Sequence, residues 1–180
     1  MRAALFHAMN QNYFELFGLE ARFDLDAAAL DSAYREVQAR VHPDKFAQGS
    51  DAERRVAMQW ATLANEAYAT LKSPLKRARY LCELAGVDMG IETNTAMPPQ
   101  FLMQQMEWRE ALGEARAARD TGRLDALERE IRTSRAAELG ALERLLGAGQ
   151  AAEAARHVRQ LMFIEKFGSE VGDAFEALQA

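Results

Sequence analysis

The chain has 180 residues, 49% hydrophobic and 27% charged, with a net charge of −5 and a single cysteine. This balance excludes a disordered chain and allows one helical domain or two small ones. It also gives no basic field to hold phosphate backbones, so nucleic acid is not an expected partner. Alanine, leucine, glutamate and arginine dominate while valine and isoleucine are scarce, which favours helix over sheet.

The leader, residues 1–11, lacks the apolar stretch and small-residue cleavage site of a secretion signal. No run of about 18 apolar residues follows, so no membrane span is expected. A short first helix is expected over "NYFELFGL", closed by Gly18. Asp26 then caps "AAALDSAYREVQARV", where Leu30, Tyr34, Val37 and Val41 form one apolar stripe. Pro43 ends this helix, because proline disfavours the α conformation of the residue before it, His42.

Ser50 and Glu53 form a capping box, S-x-x-E, opening a helix to about Lys72. Its expected inner face includes Met58, Leu63, Ala67, Tyr68 and Leu71. Ser73-Pro74 starts the next helix, "PLKRARYLCELAG", which ends at Gly86. Cys82 within it excludes an internal disulfide, a Cys-x-x-Cys redox pair and a cysteine-based zinc module. A buried thiol acting as a small hydrophobe is its expected role, and a reducing cytoplasm fits.

The stretch "GVDMGIETNTAMPPQ" breaks the periodicity and reads as a linker. Three further helices are expected at about Gln100–Arg119, Leu124–Leu146 and Gln150–Leu178, broken by Asp120-Thr121-Gly122 and Gly147-Ala148-Gly149. Leu124, Leu127, Ile131, Ser134, Glu138, Leu142 and Leu145 give the middle helix its inner face. Leu161, Ile164, Gly168, Val171 and Phe175 do so for the last, with Phe163 and Phe167 off-centre. The expected fold class is all-α: an antiparallel helical hairpin with short flanking helices over residues 1–85, a linker over 86–98, and a three-helix bundle over 99–180.

Two stretches exceed what packing requires. The first is His42-Pro43-Asp44, which reads as a helix terminator, as an acid–base pair, or as a surface signal. A catalytic reading needs a pocket with positioned acid, base and oxyanion donors. A metal reading needs further ligands at suitable spacing, and none exists. A small helical enzyme using His42 and Asp44 is the rival from another class.

The second is "PPQFLMQQMEWREALGEA". At about 100° per residue from Leu102, Phe101, Trp108, Leu112 and Ala115 fall between roughly 220° and 280°, a core face. Leu102, Met106, Glu110, Met103, Glu114 and Glu107 fall between roughly 0° and 140°, away from it. Leaving such a Leu or Met in water forgoes roughly 1.5–3 kcal/mol each. A clustered group therefore reads as a docking surface or as a second packing contact against the N-terminal domain.

"YREVQARVHPDKF" followed by "LANEAYATLKSPLKRARY" closely resembles the J domain, by which co-chaperones stimulate the ATPase of the seventy-kilodalton heat-shock chaperones. The resemblance implies no catalytic site in this chain and a chaperone-binding surface made by Arg35, Arg40, His42, Pro43, Asp44 and Lys45. Proline restricts the loop, so less entropy is lost on docking. Glu36 and Val41 depart from the common pattern, where many J domains have a basic and an aromatic residue, so the basic surface is thinner.

With "FLMQQMEWREAL" and "VRQLMFIEKF" added, nearly the whole chain beyond about Gln11 resembles the HscB family, the J-type co-chaperones of iron–sulfur cluster assembly. This implies two partners: a heat-shock chaperone of the HscA type and an iron–sulfur scaffold protein of the IscU type. The implied scaffold-binding residues are Leu102, Met103, Met106, Glu107, Glu110, Glu114 and Phe163. Met106 stands where leucine is common, a volume-preserving change. The resemblance implies no cofactor and no metal site.

Overall fold

The computed structural model describes residues 11–41, 50–89 and 97–179. Among them are seven α-helices and no strand: α1 (Tyr13–Leu16), α2 (Ala27–Val41), α3 (Asp51–Lys72), α4 (Pro74–Leu84), α5 (Pro99–Ala118), α6 (Thr121–Gly147) and α7 (Ala151–Gln179). The chain divides into two compact units, Met1–Leu81 and Cys82–Ala180, the division falling within α4.

In the first unit the helix starts are written in polar side chains. The Asn12 side chain accepts from the backbone N–H groups of Phe14 and Glu15, while Glu15 reaches back to the Asn12 N–H at 2.9 Å. Asp26 accepts from the Ala28 N–H at 2.8 Å, and Ser50 with Glu53 forms the expected capping box of α3. These amide, carboxylate and hydroxyl oxygens satisfy donors that the first helical turn leaves unpaired. At the other end of α3, Arg77 donates from Nη1 to the Leu71 carbonyl at 2.6 Å.

The pairs Asp31–Tyr68 and Tyr34–Asn65 show α2 and α3 running antiparallel. Their core holds Phe14, Phe17, Leu30, Val37, Ala64, Ala67 and Leu71. The inner face of α3 is phased differently from the expected stripe. Its buried residues are Ala57, Trp60, Ala64, Ala67 and Leu71, while Met58 is 64% exposed and Leu63 and Tyr68 are only half-buried. Alanines carry the closest part of this contact, and hydrophobic spacing alone underweights them because their side chains are small.

In the second unit α5, α6 and α7 form an up-down-up bundle. Gln104–Ser134 and Trp108–Glu130 set α5 antiparallel to α6, and Arg135–Glu165 with Glu138–His157 set α6 antiparallel to α7. Asp120, expected only to break the chain, caps α6 by accepting from the Arg123 N–H at 3.1 Å. The preceding turn passes through Arg119 at φ 50°, a left-handed conformation closing α5.

The expected core face of α5 is buried in full: Phe101, Trp108, Leu112 and Ala115. Phe167, expected off-centre, is a correction: it is 1% exposed, sandwiched between Trp108 at 5.7 Å and Phe163 at 5.8 Å between ring centroids. Large rings reach across more of a helix face than an angular rule allots them. Glu138 lies on the inner face of α6 because His157 meets it from α7, Nδ1 to carboxylate at 2.7 Å. Cys82 is fully buried, its Sγ 3.6 Å from the Ala151 carbonyl, and burial pushes its thiol pKa up to about 11.

Candidate functional site

The bundle presents an apolar surface where α5 turns away from its own core. Leu102 is 45% exposed, Met103 63% and Met106 71%, although Phe101 and Trp108 on the same helix are almost completely covered. The cause is helical geometry. Residues three and four apart share a face, so a core seam at 101, 108, 112 and 115 leaves 102, 103 and 106 on the far side. Water-facing positions usually carry polar side chains, and three large apolar ones together here make a candidate docking surface.

The carboxylates beside it are not equivalent. Glu107 and Glu110 are exposed, and neither meets a cation among the described residues. Glu114 is held by Arg123 of α6 at 2.6 Å. That pair is solvated on both sides and contributes little to stability. It nevertheless leaves Glu107 and Glu110 as the uncommitted negative charges of the face.

Phe163 of α7 is half-buried. Its ring meets Phe101 edge-on at 5.8 Å and stacks on Phe167, so one side belongs to the core. The Arg109 guanidinium lies 5.7 Å from the Phe163 ring centroid, a cation–π contact. Sequence reasoning gave Arg109 no part. Its position follows from an aromatic on another helix, which spacing within α5 does not reveal. Between α5 and α6, Gln104, Ala126, Arg129, Glu130, Thr133 and Ser134 line an open groove.

In the first unit, Arg35 and Arg40 of α2 are both exposed, with Arg40 Nε donating to the Glu36 carbonyl at 3.3 Å. His42, Pro43, Asp44 and Lys45 lie outside the described residues. The helices on either side of those residues are cross-linked by side chains. Tyr34 donates to Asn65 at 2.8 Å and accepts from Gln38 at 3.0 Å. The Tyr68 hydroxyl donates to Asp31 at 2.7 Å, and that bond, with the Lys72 ammonium next, holds Asp31 below the usual carboxylate range. The stacked rings of Tyr34 and Tyr68, 4.0 Å apart, join the two networks into one strip along the hairpin.

Among the described residues, no group of three or more His, Cys, Asp or Glu side chains could hold a metal ion. Nor is any described helix long and apolar enough to cross a membrane.

Residues 97–172 match the model of the HSCB C-terminal oligomerisation domain. The "Co-chaperone protein HscB homolog" of Burkholderia multivorans is 58% identical over 172 residues, covering 96% of this chain and 98% of that protein. Among solved structures, chaperone HscB from Vibrio cholerae matches with a TM-score of 0.83 at 40% identity, over 93% of this chain and 99% of that one. Human co-chaperone HscB matches with a TM-score of 0.86 at 28% identity, over 91% and 81%. Fold and likeness together define an all-helical co-chaperone with a J domain followed by a C-terminal three-helix bundle. The chain belongs to the HscB family.

Proposed function

We propose that this protein is a cytoplasmic, bivalent adaptor in iron–sulfur cluster assembly, with no catalytic site of its own. The J domain, residues 1–85, stimulates the ATPase of an HscA-type chaperone through His42, Pro43 and Asp44, with Arg35, Arg40 and Lys45 beside them. The bundle, residues 99–180, holds an IscU-type scaffold protein through Leu102, Met103, Met106 and Phe163, with Glu107, Glu110 and Glu114 at the rim. Residues 86–98 tether the two, so a bound scaffold is delivered to the chaperone at high local concentration.

The observation that carries this reading is the exposure of Leu102, Met103 and Met106 on a helix whose opposite face is sealed in the core. Apolar side chains supply affinity, since covering each one removes it from water. The uncommitted carboxylates supply orientation and association rate toward a basic partner surface.

Calorimetric titration with an IscU-type scaffold is the direct test. Leu102→Ala with Met106→Ala should weaken binding at least about a hundredfold, roughly 2.7 kcal/mol, while leaving ATPase stimulation by the J domain in place. Adding Phe163→Ala should weaken binding further. His42→Gln should abolish stimulation of chaperone ATPase and leave scaffold affinity unchanged. Unaltered scaffold affinity in the Leu102/Met106 variant would remove the scaffold assignment. Lost scaffold binding in His42→Gln would remove the separation of the two sites.

A further inference from the structure

The exposed apolar face carries a chemical vulnerability. Met103 and Met106 are three residues apart on α5, hence neighbours on one helical turn, and are 63% and 71% exposed. Among the other described methionines, Met89 is 5% exposed, and Met97 and Met162 are half-buried. Met58 is 64% exposed, but it belongs to the first unit. The two thioethers open to solvent in the bundle are therefore both on the face proposed to dock the scaffold.

We infer that Met103 and Met106 are a peroxide-sensitive modification site: their oxidation to sulfoxides releases the scaffold from the bundle. The inference rests on the docking role proposed above and adds regulation to it. A thioether sulfur attacks hydrogen peroxide, the O–O bond breaks, and one oxygen atom is transferred to sulfur. The sulfur is oxidised by two electrons, and the remaining oxygen leaves as water with both protons. The product is a polar, chiral side chain that thiol-dependent reductases return to methionine.

Oxidation reverses the physical character on which docking depends. A methionine gains by leaving water and adapts its shape to the partner. A sulfoxide loses two strong water hydrogen bonds when covered by an apolar surface, with nothing there to replace them. Leu102, beside Met106 on the same face, cannot be oxidised in this way, so the face is weakened and not destroyed. The buried thioether of Met89 is shielded, and no methionine is among the buried residues of the bundle core, Met97 packing only at its edge, so the fold survives the same treatment.

The test uses the full chain, treated with hydrogen peroxide and freed of it before mixing with an untreated IscU-type scaffold. Peptide mass spectrometry should find oxygen on Met103 and Met106 well before Met89. Circular dichroism should be unchanged, and scaffold affinity should fall at least about tenfold, recovering after methionine sulfoxide reductase. Met103→Leu with Met106→Leu, whatever its own affinity, should no longer respond to peroxide. Met58→Leu should bind and respond as the parent does.

Equal affinity of oxidised and untreated chains overturns the inference. So does a peroxide response that persists in the double leucine variant, or a loss of helicity that accounts for the lost binding. Failure of the untreated chain to bind is a different result: it overturns the docking reading itself, and the regulation with it.

Discussion

The two units hold their helices together by different means. In the J domain α2 and α3 meet through alanines, with Ala64 and Ala67 completely buried, and are tied along their edge by Tyr34, Gln38, Asn65, Asp31, Tyr68 and Lys72. In the bundle, the contact is made by rings, with Phe101, Phe163, Phe167 and Trp108 forming a continuous run. Small residues allow close approach and polar residues fix register, so α2 and α3 are held at a set separation. Large rings fill space and leave the outward side of α5 free of structural duty. On α5 the proposed contact residues Leu102, Met103 and Met106 are thus distinct from those that fold the bundle, whereas Phe163 of α7 takes part in both.

The comparison is broken most sharply in the bundle. Trp108→Ala removes a ring stacked on Phe167 and the donor to Glu130 at 3.2 Å. It should cost about 3–5 kcal/mol, read as a shift of the denaturation midpoint of the second unit. A loss below about 1 kcal/mol would mean that the aromatic run is not what holds the bundle. The J domain should fail in the opposite sense. Ala67→Leu overfills a contact with no free space and should cost about 1–3 kcal/mol, with the hairpin unfolding first. If it stabilises instead, the α2–α3 contact is looser than the burial of Ala67 implies.

The smallest effect concerns Cys82. Its thiol is raised from 9.0 to about 11 by burial, so the folded chain holds a proton that the unfolded chain releases between those values. The stability it contributes is complete below pH 9 and is lost as pH rises toward 11. A Cys82→Ala variant should show a shallower fall in stability over this window. Alkylation at pH 8 should require unfolding, and rapid labelling of the native protein would contradict the burial.

Much of this was legible in one dimension. Caps at Asp26 and Ser50–Glu53 and the start at Pro74 are local chemistry: a side chain satisfies or denies a backbone group a few residues away. The seam of Phe101, Trp108, Leu112 and Ala115, and with it the outward turn of Leu102, Met103 and Met106, follows from helical periodicity. The face of α3 was misphased at Met58 because alanine signals its packing weakly.

What the sequence by itself determined is therefore whatever depends on neighbours within about one helical turn: helix starts, helix ends and the two sides of α5. Tertiary structure alone decided which distant groups meet. It stacked Phe167 on Trp108, gave Glu138 its histidine, drew Glu114 to Arg123 and laid Arg109 over Phe163. Those partners lie on separate helices, and only the packing of one helix against another fixes the distance between them.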